Sequence, residues 1–387
     1  MPDFVIPKVS VIIPMYNAEK FIETCVNSVI GQTLKDFEII IIDDCSTDQS
    51  YEIVSKKFAS DPRVQVFQNP TRMHCDITRT LGITRARGEY VFFMDSDDAL
   101  LPKTLEIFVK ASDLSKAEVV IMNSCLTTAD QFFKLPAQIK VEKRICADPT
   151  TRQFSDDIIK RFQHELIERG CHWEPWTRIQ RRDFLLNNRI SFPDTLRTGD
   201  LLFHLAEICC AKKVQVVNAC GYIWRQHPNQ TIKLPAEEIL KLGIQSFPAG
   251  LKYIRDLFNS KNLLTELSEE EKYNLELQAM IFYLTKSMNL TNLDVLQIKS
   301  IIQEMATKSD ICTPEFVTSL FNIFLTQTVL INEQNKQLKE LKSNETPEST
   351  TSTESTETTE SIESATSTES TDTIESVATT ESTPRIE

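Results

Sequence analysis

The sequence predicts an α/β protein in which a mostly parallel sheet is flanked by helices, and two patterns support this prediction. Along residues 8–122, short apolar runs alternate with segments whose apolar residues recur at helical spacing. From residue 236 to residue 341 the spacing is helical, and from Ser343 onward the chain is almost entirely Ser, Thr and Glu. We therefore expect a sheet-containing domain, a helical C-terminal region and a disordered acidic tail.

Five apolar runs predict the strands of the sheet, and four amphipathic segments predict the helices between them. The strands are expected at residues 9–13, 37–42, 64–67, 90–94 and 119–122. The helices are expected at residues 19–30, from an N-cap at Ser46 or Thr47 through Phe58, at 77–86, and from Pro102 through Val109. Strands that are apolar on both faces and separated by helices form parallel sheets with right-handed crossovers. Ligands bind to such sheets at the carboxyl ends of the strands.

The chain is predicted to divide into a domain, a helical region and a tail. The first 235 residues form the domain, with a regular half at 8–122 and a less regular half at 123–235 that contains all three tryptophans. Residues 236–342 form the helical region. Its last segment, 317–341, has heptad-like spacing, which fits either a short coiled coil that joins copies of the chain or an ordinary amphipathic helix. A homo-oligomer formed through these C-terminal helices is one expectation.

Most of the negative charge lies in the tail at 343–387. Eleven acidic residues and one arginine give the tail a net charge of −10, whereas the whole chain carries −13. Residues 1–342 are therefore nearly neutral, and this excludes nucleic acid as an expected partner because DNA binding requires a basic face. The tail has too few large apolar residues to offset its chain entropy, so we predict that it is disordered.

The cysteines and the apolar runs of the sequence indicate where in the cell the protein is located. The ten cysteines are scattered and form no CxxC pair, which argues against a zinc ribbon or a thioredoxin-like site. No apolar run approaches the roughly 20 residues that a membrane-spanning helix needs, and the first residues lack the pattern of a signal peptide. We predict no transmembrane segment and a reducing, cytoplasmic location, either free or peripheral to a membrane.

Polar clusters follow three of the predicted strands. They are Pro14-Met15-Tyr16-Asn17 after the first strand, Asp43 through Asp48 after the second, and Asp95-Ser96-Asp97-Asp98 after the fourth. Carboxylates next to a buried strand are costly unless they meet a metal, a hydrogen-bond donor or water. A helix cap would account for one cluster, but three at one sheet edge indicate a binding site. The Asp-x-Asp spacing suits a small hard cation such as Mg²⁺.

Two stretches of the sequence together resemble the family 2 glycosyltransferases, which have the GT-A fold. They read VSVIIPMYNAEKFIETCVNSVIGQTLKDFEIIIIDDCSTD and RGEYVFFMDSDD. The close resemblance covers about residues 8–110, and a looser one extends to about residue 230. It implies an α/β domain that binds a nucleotide-diphosphate sugar, with a UDP-sugar as the expected donor, and transfers the sugar to a hydroxyl acceptor.

The resemblance also implies roles for the strand-end residues. Pro14 would shape the turn after the first strand, Tyr16 would stack on the nucleotide base, and Asp44 would hydrogen-bond the edge of the base. The remaining donor-side positions are on the Asp-x-Asp turn: Asp95, which would contact the ribose or a metal-bound water, Ser96 beside it, and Asp97, which would bind Mn²⁺ or Mg²⁺ on the diphosphate.

Arg79 is implied to contact the nucleotide or its phosphates, the alternative being an arginine on a helix surface. The family commonly has Ala-Arg-Asn before Gly-Ile here, and this chain has Thr78 and Thr80 around the arginine. The usual glycine-containing approach to this helix is also absent. Thr71-Arg72-Met73-His74 stands in its place.

The resemblance places the catalytic base in the second half of the domain. Thr198-Gly199-Asp200-Leu201 matches the family's acidic motif, so Asp200 would accept the proton of the acceptor hydroxyl. Its alternative is a helix cap. On the acceptor side, Trp176 would stack on a sugar or fill the core. Arg225 and His227 would bind phosphate oxygens, the alternative for His227 being an ordinary loop residue.

The sequence thus predicts an inverting glycosyltransferase that acts by single displacement on a glycan, a lipid-linked glycan or a protein-linked glycan. Two alternatives remain open. A nucleotidyltransferase on a similar scaffold would need a glycine-rich basic loop after the first strand, where this chain has Met15-Tyr16-Asn17-Ala18-Glu19. A non-catalytic subunit of a glycosylation complex would not need the acidic residues Asp95, Asp97 and Asp200.

Overall fold

Ten strands form one sheet in the part of the chain that the structure describes. The structure is a computed structural model, and it describes residues 6–129, 142–145, 151–153, 173–196, 199–228 and 234–262, with isolated positions and short stretches up to residue 303. These residues all belong to the first of two units in the chain, Met1–Asn332. The helix predicted at 317–341 and the acidic tail lie outside the described residues.

The elements of the first half follow the predicted order. They are β1 (Val9–Met15), α1 (Ile22–Ile30), β2 (Phe37–Asp43), α2 (Ser50–Lys57), β3 (Val64–Gln68), α3 (His74–Arg85), β4 (Tyr90–Phe93), β5 (Ala99–Leu100), α4 (Thr104–Ser115) and β6 (Val119–Ala129). All five predicted strands are present, and the last one is longer than its apolar run. The short strand β5 was not predicted.

The second half adds strands and helices around the same sheet. They are β7 (Glu142–Ile145), β8 (Thr151–Gln153), β9 (Arg178–Arg181), α5 (Arg182–Asn188), α6 (Gly199–Cys210), β10 (Lys213–Gln226) and α7 (Ala236–Ser260), with one 3-10 turn at Pro175–Thr177 before β9. The helix α7 begins where the sequence pattern becomes helical. No helix in the described part of the chain combines the length and apolar character that crossing a bilayer requires.

The sheet order is β3-β2-β1-β4-β9-β6-β10-β5, and β7 and β8 pair with β6 and β10. The pairs among β1, β2, β3 and β4 are parallel. The strand β9 lies antiparallel between β4 and β6, so the second half makes the sheet mixed. The predicted α/β class with a mostly parallel sheet and flanking helices is confirmed. Every residue of β1 and β2 is buried, as the continuous apolar runs require.

Both faces of the sheet are covered by helices. On one face α1, α2 and α4 pack against the side chains of Val9, Val11 and Ile13. On the other face α3 lies very close to β1, because a Cβ added to Gly82 would lie 2.3 Å from a methyl carbon of Ile12. Close helix–strand contact here brings the N-terminal turns of α3 toward the carboxyl end of β1.

The predicted N-cap of the second helix is wrong. Ser46 and Thr47 lie before the helix, which begins at Ser50, and they instead bond to Asn17 in the loop after β1. The Ser46 hydroxyl accepts the Asn17 N–H at 2.9 Å, and the Thr47 N–H donates to Asn17 Oδ1 at 2.8 Å. Asp48 is the residue that accepts a bond from the first helical N–H, that of Ser50. Ser46 and Thr47 therefore join the ends of β1 and β2.

Candidate active site

The carboxyl ends of β1, β2 and β4 meet at one edge of the sheet. Met15 is in register with Asp43, and the Asp44 N–H donates to the carbonyl of Met15 at 2.8 Å. The Met94 N–H donates to the carbonyl of Ile12 at 3.0 Å, which places the Asp-x-Asp turn beside the end of β1. The three polar clusters of the sequence are therefore neighbours in space.

Pro14, Tyr16 and Asp44 form one side of this edge. Pro14 lies in β1 and is buried, and only 3% of Asp44 is exposed. Asp44 Oδ1 accepts two hydrogen bonds, from Asn69 Nδ2 at 2.8 Å and from the Met73 N–H at 2.7 Å. These two donors fix the orientation of the carboxylate. Sequence reasoning missed Asn69, although its place directly after β3 was a signal comparable to the other strand ends.

An arginine that replaces the usual family pattern covers the ring of Tyr16. The guanidinium carbon of Arg72 lies 3.9 Å from the centre of the Tyr16 ring, a cation–π contact, and Arg72 is otherwise exposed. The helix after it begins at His74, which has a left-handed backbone with φ of 62°. The glycine missing from this approach is thus replaced by a residue that adopts a glycine-like conformation.

The Asp-x-Asp turn is held by a third acidic residue of the same cluster, Asp98, to which the sequence analysis assigned no role. Asp98 is buried, and its carboxylate accepts the Tyr222 hydroxyl at 2.6 Å and the Arg225 N–H at 2.8 Å. The Tyr222 hydroxyl in turn accepts the Asp95 N–H at 3.2 Å. Burial, then the charges of Asp97 and Asp95, raise the pKa of Asp98 well above its usual value. These bonds attach the turn to β10 and leave Asp95, Ser96 and Asp97 half-buried at the edge.

Arg79 joins the Asp-x-Asp turn to the candidate base. Its Nη2 lies 2.7 Å from Asp95 Oδ1, and its Nη1 lies 2.5 Å from Asp200 Oδ1. The alternative of a surface arginine is wrong, because only 5% of Arg79 is exposed. Asp200 is in the first turn of α6, as expected, and its carboxylate points to Arg79 on α3. One guanidinium thus bridges two carboxylates from different halves of the domain.

Both bridged carboxylates hold protons more tightly than an ordinary aspartate. Burial raises the pKa of Asp95 to about 6, against the effect of Arg79 and with a further contribution from Asp97 and Asp200. Burial likewise raises the pKa of Asp200; Arg79 opposes this and Glu174 adds to it. Because about 30% of the Asp200 side chain remains exposed, it is accessible to a reactant while it is shielded from bulk water on its other sides.

Asp97 has an imidazole partner. Nε2 of His227 lies 2.8 Å from Asp97 Oδ2, and the His227 ring packs on Phe21 with 4.6 Å between centroids. The guanidinium of Arg225 lies 4.7 Å from the centre of the same Phe21 ring. Phe21 directly precedes α1, so α1 and β10 together hold His227 and Arg225 beside the Asp-x-Asp turn. His227 and Arg225 thus lie beside the Asp-x-Asp turn, and their role as phosphate ligands stays a prediction.

Trp176 is placed in the core cluster. Only 5% of it is exposed, and its ring stacks on Tyr222 with 4.4 Å between centroids and 16° between planes. This matches the alternative of a core-filling tryptophan, and its role on the acceptor side stays a prediction. Through Tyr222 the tryptophan supports the same hydrogen bonds that fix the Asp-x-Asp turn.

Comparisons with known proteins identify the class. The sequence model described as Glycosyl transferase family 2 matches residues 10–174. An uncharacterised glycosyltransferase, YibD of Escherichia coli, is 30% identical over 241 residues, which are 62% of this chain and 67% of the relative. EpsJ of Bacillus subtilis, also an uncharacterised glycosyltransferase, is 28% identical over the same shares of the two chains. The chain therefore belongs to glycosyltransferase family 2 and is a glycosyltransferase.

The fold is shared with a solved structure. Residues 1–349 of TarS from S. aureus superpose with a TM-score of 0.51 and 22% sequence identity, over 81% of this chain and 83% of that one. At this identity the likeness concerns the fold alone. The resemblance read from the sequence is confirmed in its family, its fold class and its enzyme class.

Proposed function

We propose that the protein is an inverting, metal-dependent glycosyltransferase that moves a sugar from a uridine-diphosphate sugar to a hydroxyl group of a glycan. The observation that supports this most directly is the bridge Asp95–Arg79–Asp200 beside the pair Asp97–His227. It puts a carboxylate suited to accept a proton next to a carboxylate suited to hold a cation, at the sheet edge where such folds bind ligands.

The choice of uridine rests on Asp44. A carboxylate at the edge of the base selects for a ring N–H, which uracil has at N3 and cytosine lacks. Asn69 and Met73 bind one carboxylate oxygen of Asp44, and the other oxygen would accept the hydrogen bond of the base. Tyr16, in contact with Arg72, supplies the stacking surface. Because the Arg72 guanidinium lies 3.9 Å from the Tyr16 ring, the base would stack on the other face of the ring or take the place of Arg72.

The donor set near Asp97 fits a divalent cation on the diphosphate. A carboxylate oxygen and an imidazole nitrogen 2.8 Å apart match neighbouring positions of an octahedral ion, which are about 3 Å apart at ligand distances near 2.1 Å. Among the described residues no group of three or more His, Cys, Asp or Glu side chains converges on one metal position. Two protein ligands suffice where substrate phosphates supply the rest. Carboxylate and phosphate oxygens suit both Mn²⁺ and Mg²⁺, so we propose either ion.

The protein's own groups would then divide the reaction between them. Asp97 and His227 would hold the cation, which when bound neutralises the charge that develops on the departing diphosphate. Asp200 would accept the proton of the acceptor hydroxyl. At the same time the oxygen of that hydroxyl would attack the anomeric carbon, and the bond between this carbon and the diphosphate would break. Arg79 would keep Asp200 oriented and would balance the charge of Asp95. A single displacement of this kind inverts the anomeric configuration and needs no covalent sugar–enzyme intermediate.

The acceptor class rests on the names of relatives. A Bacillus subtilis relative that is 36% identical over 138 residues is named a putative teichuronic acid biosynthesis glycosyltransferase. A Pasteurella multocida relative that is 36% identical over 105 residues is named chondroitin synthase. Both names concern polysaccharides, so we propose a growing polysaccharide or another glycan as the acceptor.

The test uses UDP-glucose, UDP-galactose, UDP-N-acetylglucosamine and UDP-N-acetylgalactosamine with Mn²⁺, and the same panel with a chelator. We expect one donor to raise the melting temperature, because a ligand that binds the native state stabilises it. We also expect slow release of UDP from that donor only with metal. Release of pyrophosphate from a nucleoside triphosphate and a sugar phosphate would instead indicate a nucleotidyltransferase. No metal-dependent response to any donor would contradict the proposal.

A further inference from the structure

Asp76 is a buried carboxylate that has no part in the proposed binding of the donor, binding of the cation or transfer of the proton. It lies in the first turn of α3, one turn before Arg79, and only 7% of it is exposed. A buried carboxylate is retained at a cost unless it is paired or accepts hydrogen bonds. Its contacts therefore indicate what it does.

The hydrogen bonds of Asp76 come from the segment that leads to Asp200. The Thr195 hydroxyl donates to Asp76 Oδ2 at 2.9 Å, and the Gly199 backbone N–H donates to the same carboxylate. Gly199 is the first residue of α6, and Asp200 is the second. A carboxylate that accepts an N–H at the start of a helix has the favourable sign for the helix dipole. Asp76 on α3 thus caps α6 from a distant part of the chain.

Gly199 shows how closely the two helices meet. A Cβ added to Gly199 would lie 2.0 Å from Asp76 Oδ2 and 2.2 Å from its Cγ. No side chain fits between the start of α6 and the Asp76 carboxylate. This contact allows Asp200, on the next residue, to reach Arg79 at 2.5 Å. Since α3 carries both Asp76 and Arg79, one helix sets both the position of the base and its counter-charge.

Asp76 also interacts with Asp200 through their charges. Its Oδ1 lies 3.7 Å from Arg79 Nη1, so three carboxylates, those of Asp76, Asp95 and Asp200, face one guanidinium. The other ionisable groups facing this cluster are the thiol of Cys75, on α3, and Glu174 and Arg178, which act on Asp200. Burial first, and then the charge of Asp200, raise the pKa of Asp76 to about 7, against the effect of Arg79. Charge interactions are mutual, so an ionised Asp76 also favours the protonated form of Asp200.

We propose that Asp76 is the positioning residue for Asp200: it fixes the first turn of α6 on α3 and thereby sets the geometry and the basicity of the catalytic carboxylate. This inference rests on the proposed function, in which Asp200 is the base. It adds a residue that touches neither donor nor acceptor.

The test compares Asp76→Asn and Asp76→Ala with a matched control, Asp61→Asn. Asp61 also accepts a backbone N–H and pairs with an arginine, Arg63, but it precedes β3 at the opposite edge of the sheet. We expect Asp76→Ala to lower kcat for UDP release about 10²-fold, the usual cost of a misplaced catalytic group, with an unchanged KM for the donor. We expect Asp76→Asn, which keeps an acceptor oxygen, to lower kcat less than Asp76→Ala does. Because it removes a negative charge near Asp200, it should also move the acidic limb of the pH profile of kcat to lower pH. The control should match the wild type.

A second measurement needs no substrate. Hydrogen exchange at the amides of Gly199 through Leu202 should become faster in Asp76→Ala and stay at the wild-type rate in Asp61→Asn. Unchanged exchange there, or equal losses in kcat and donor affinity, would overturn the positioning role. If Asp76→Asn has the wild-type kcat and an unchanged pH profile while Asp200→Asn is inactive, the positioning role of Asp76 is wrong and the proposed function is unaffected. An active Asp200→Asn would instead remove the base on which both proposals depend.

Discussion

At the scale of single residues, the candidate site is built from side chains whose partners come from distant parts of the sequence. Arg79 and Asp200 are 121 positions apart and Asp97 and His227 are 130 apart, yet both pairs are within hydrogen-bond distance. The residues at strand ends could be predicted, because a strand end has a fixed place in this kind of sheet. Asp76 and Asp98 could not be predicted, because their roles depend on groups that are distant in sequence: Thr195 and the first N–H of α6 for Asp76, and Tyr222 and the Arg225 N–H of β10 for Asp98.

Asp97→Ala should abolish metal-stimulated UDP release and weaken donor binding mainly when Mn²⁺ is present. The reason is that Asp97 supplies the carboxylate oxygen next to the His227 imidazole. Titration calorimetry of UDP with and without Mn²⁺ measures the effect. Glu52→Ala, which removes an exposed carboxylate paired with Lys56 on α2, is the control and should behave as the wild type. Metal-stimulated turnover close to normal in Asp97→Ala would show that the cation is held elsewhere.

Asp200→Asn should leave UDP binding largely intact and reduce turnover by about 10² or more, the usual contribution of a general base. The asparagine can still accept a hydrogen bond from Arg79, so the start of α6 should keep its place. Initial rates and UDP affinity measured on the same preparation separate the two effects. If Asp200→Asn folds less well but turns over at the normal rate, Asp200 serves only to cap the helix.

At the scale of elements, the sequence predicted the order of strands and helices better than their beginnings. The helix α1 begins three residues later than its apolar pattern, and α3 begins three residues earlier, at His74. Local periodicity reports which face is buried, whereas the first residue of a helix depends on loops such as the one that joins Asn17 to Ser46. The antiparallel strand β9 could not be placed either, because its sequence, Arg178-Ile179-Gln180-Arg181, has one apolar residue and therefore no apolar run.

The start of α3 offers a test of backbone strain. His74 has φ of 62°, a conformation that glycine adopts freely and that β-branched residues avoid. His74→Val should therefore destabilise the protein by roughly 1–3 kcal/mol relative to His74→Gly, as measured by urea unfolding. Because α3 carries Arg79, the valine variant should also lower turnover. The matched pair Lys116→Val and Lys116→Gly, at the left-handed end of α4 with φ of 55°, should differ in stability but not in turnover. Equal stability of the two His74 variants would show that this backbone is not strained.

At the scale of the whole molecule, folding concentrates negative charge that the sequence spreads out. The body of the chain, residues 1–342, is nearly neutral, yet Asp76, Asp95 and Asp200 share one guanidinium at the carboxyl edge of the sheet. Composition alone gave no sign of this concentration, because it arises only when α3, β4 and α6 come together. Such a cluster raises the pKa values of its buried carboxyls, and this links its protonation to the stability of the fold.

The contribution of Asp76 to the stability of the protein should fall as the pH rises from about 4 to about 7. The pKa of this carboxyl is about 7 in the folded protein against an ordinary value of 3.8, so the folded state binds more protons than the unfolded state between those values. By linkage, the contribution of this carboxyl to the free energy of unfolding decreases across that interval. Asparagine carries no charge, so the free energy of unfolding of Asp76→Asn should not contain this pH-dependent loss. The stability of the variant relative to the wild type should therefore be higher at pH 8 than at pH 4. The gain should be on the order of 4 kcal/mol, since the folded and ordinary pKa values differ by about three units and one unit corresponds to about 1.4 kcal/mol.

The control for this prediction has the opposite sign. The Arg63 side chain, which hydrogen-bonds Asp61, lowers the pKa of that carboxyl, so its stabilising contribution is present above the unfolded pKa and is lost as the pH falls. Asp61→Asn should therefore lose stability at pH 8, and this loss should become smaller as the pH falls below 3.8. Urea unfolding of the wild type and both variants across this range measures all three curves. Parallel curves for the wild type and Asp76→Asn would mean that Asp76 is ionised in the folded protein as readily as in the unfolded chain, and the account of a desolvated, shared charge cluster would be wrong.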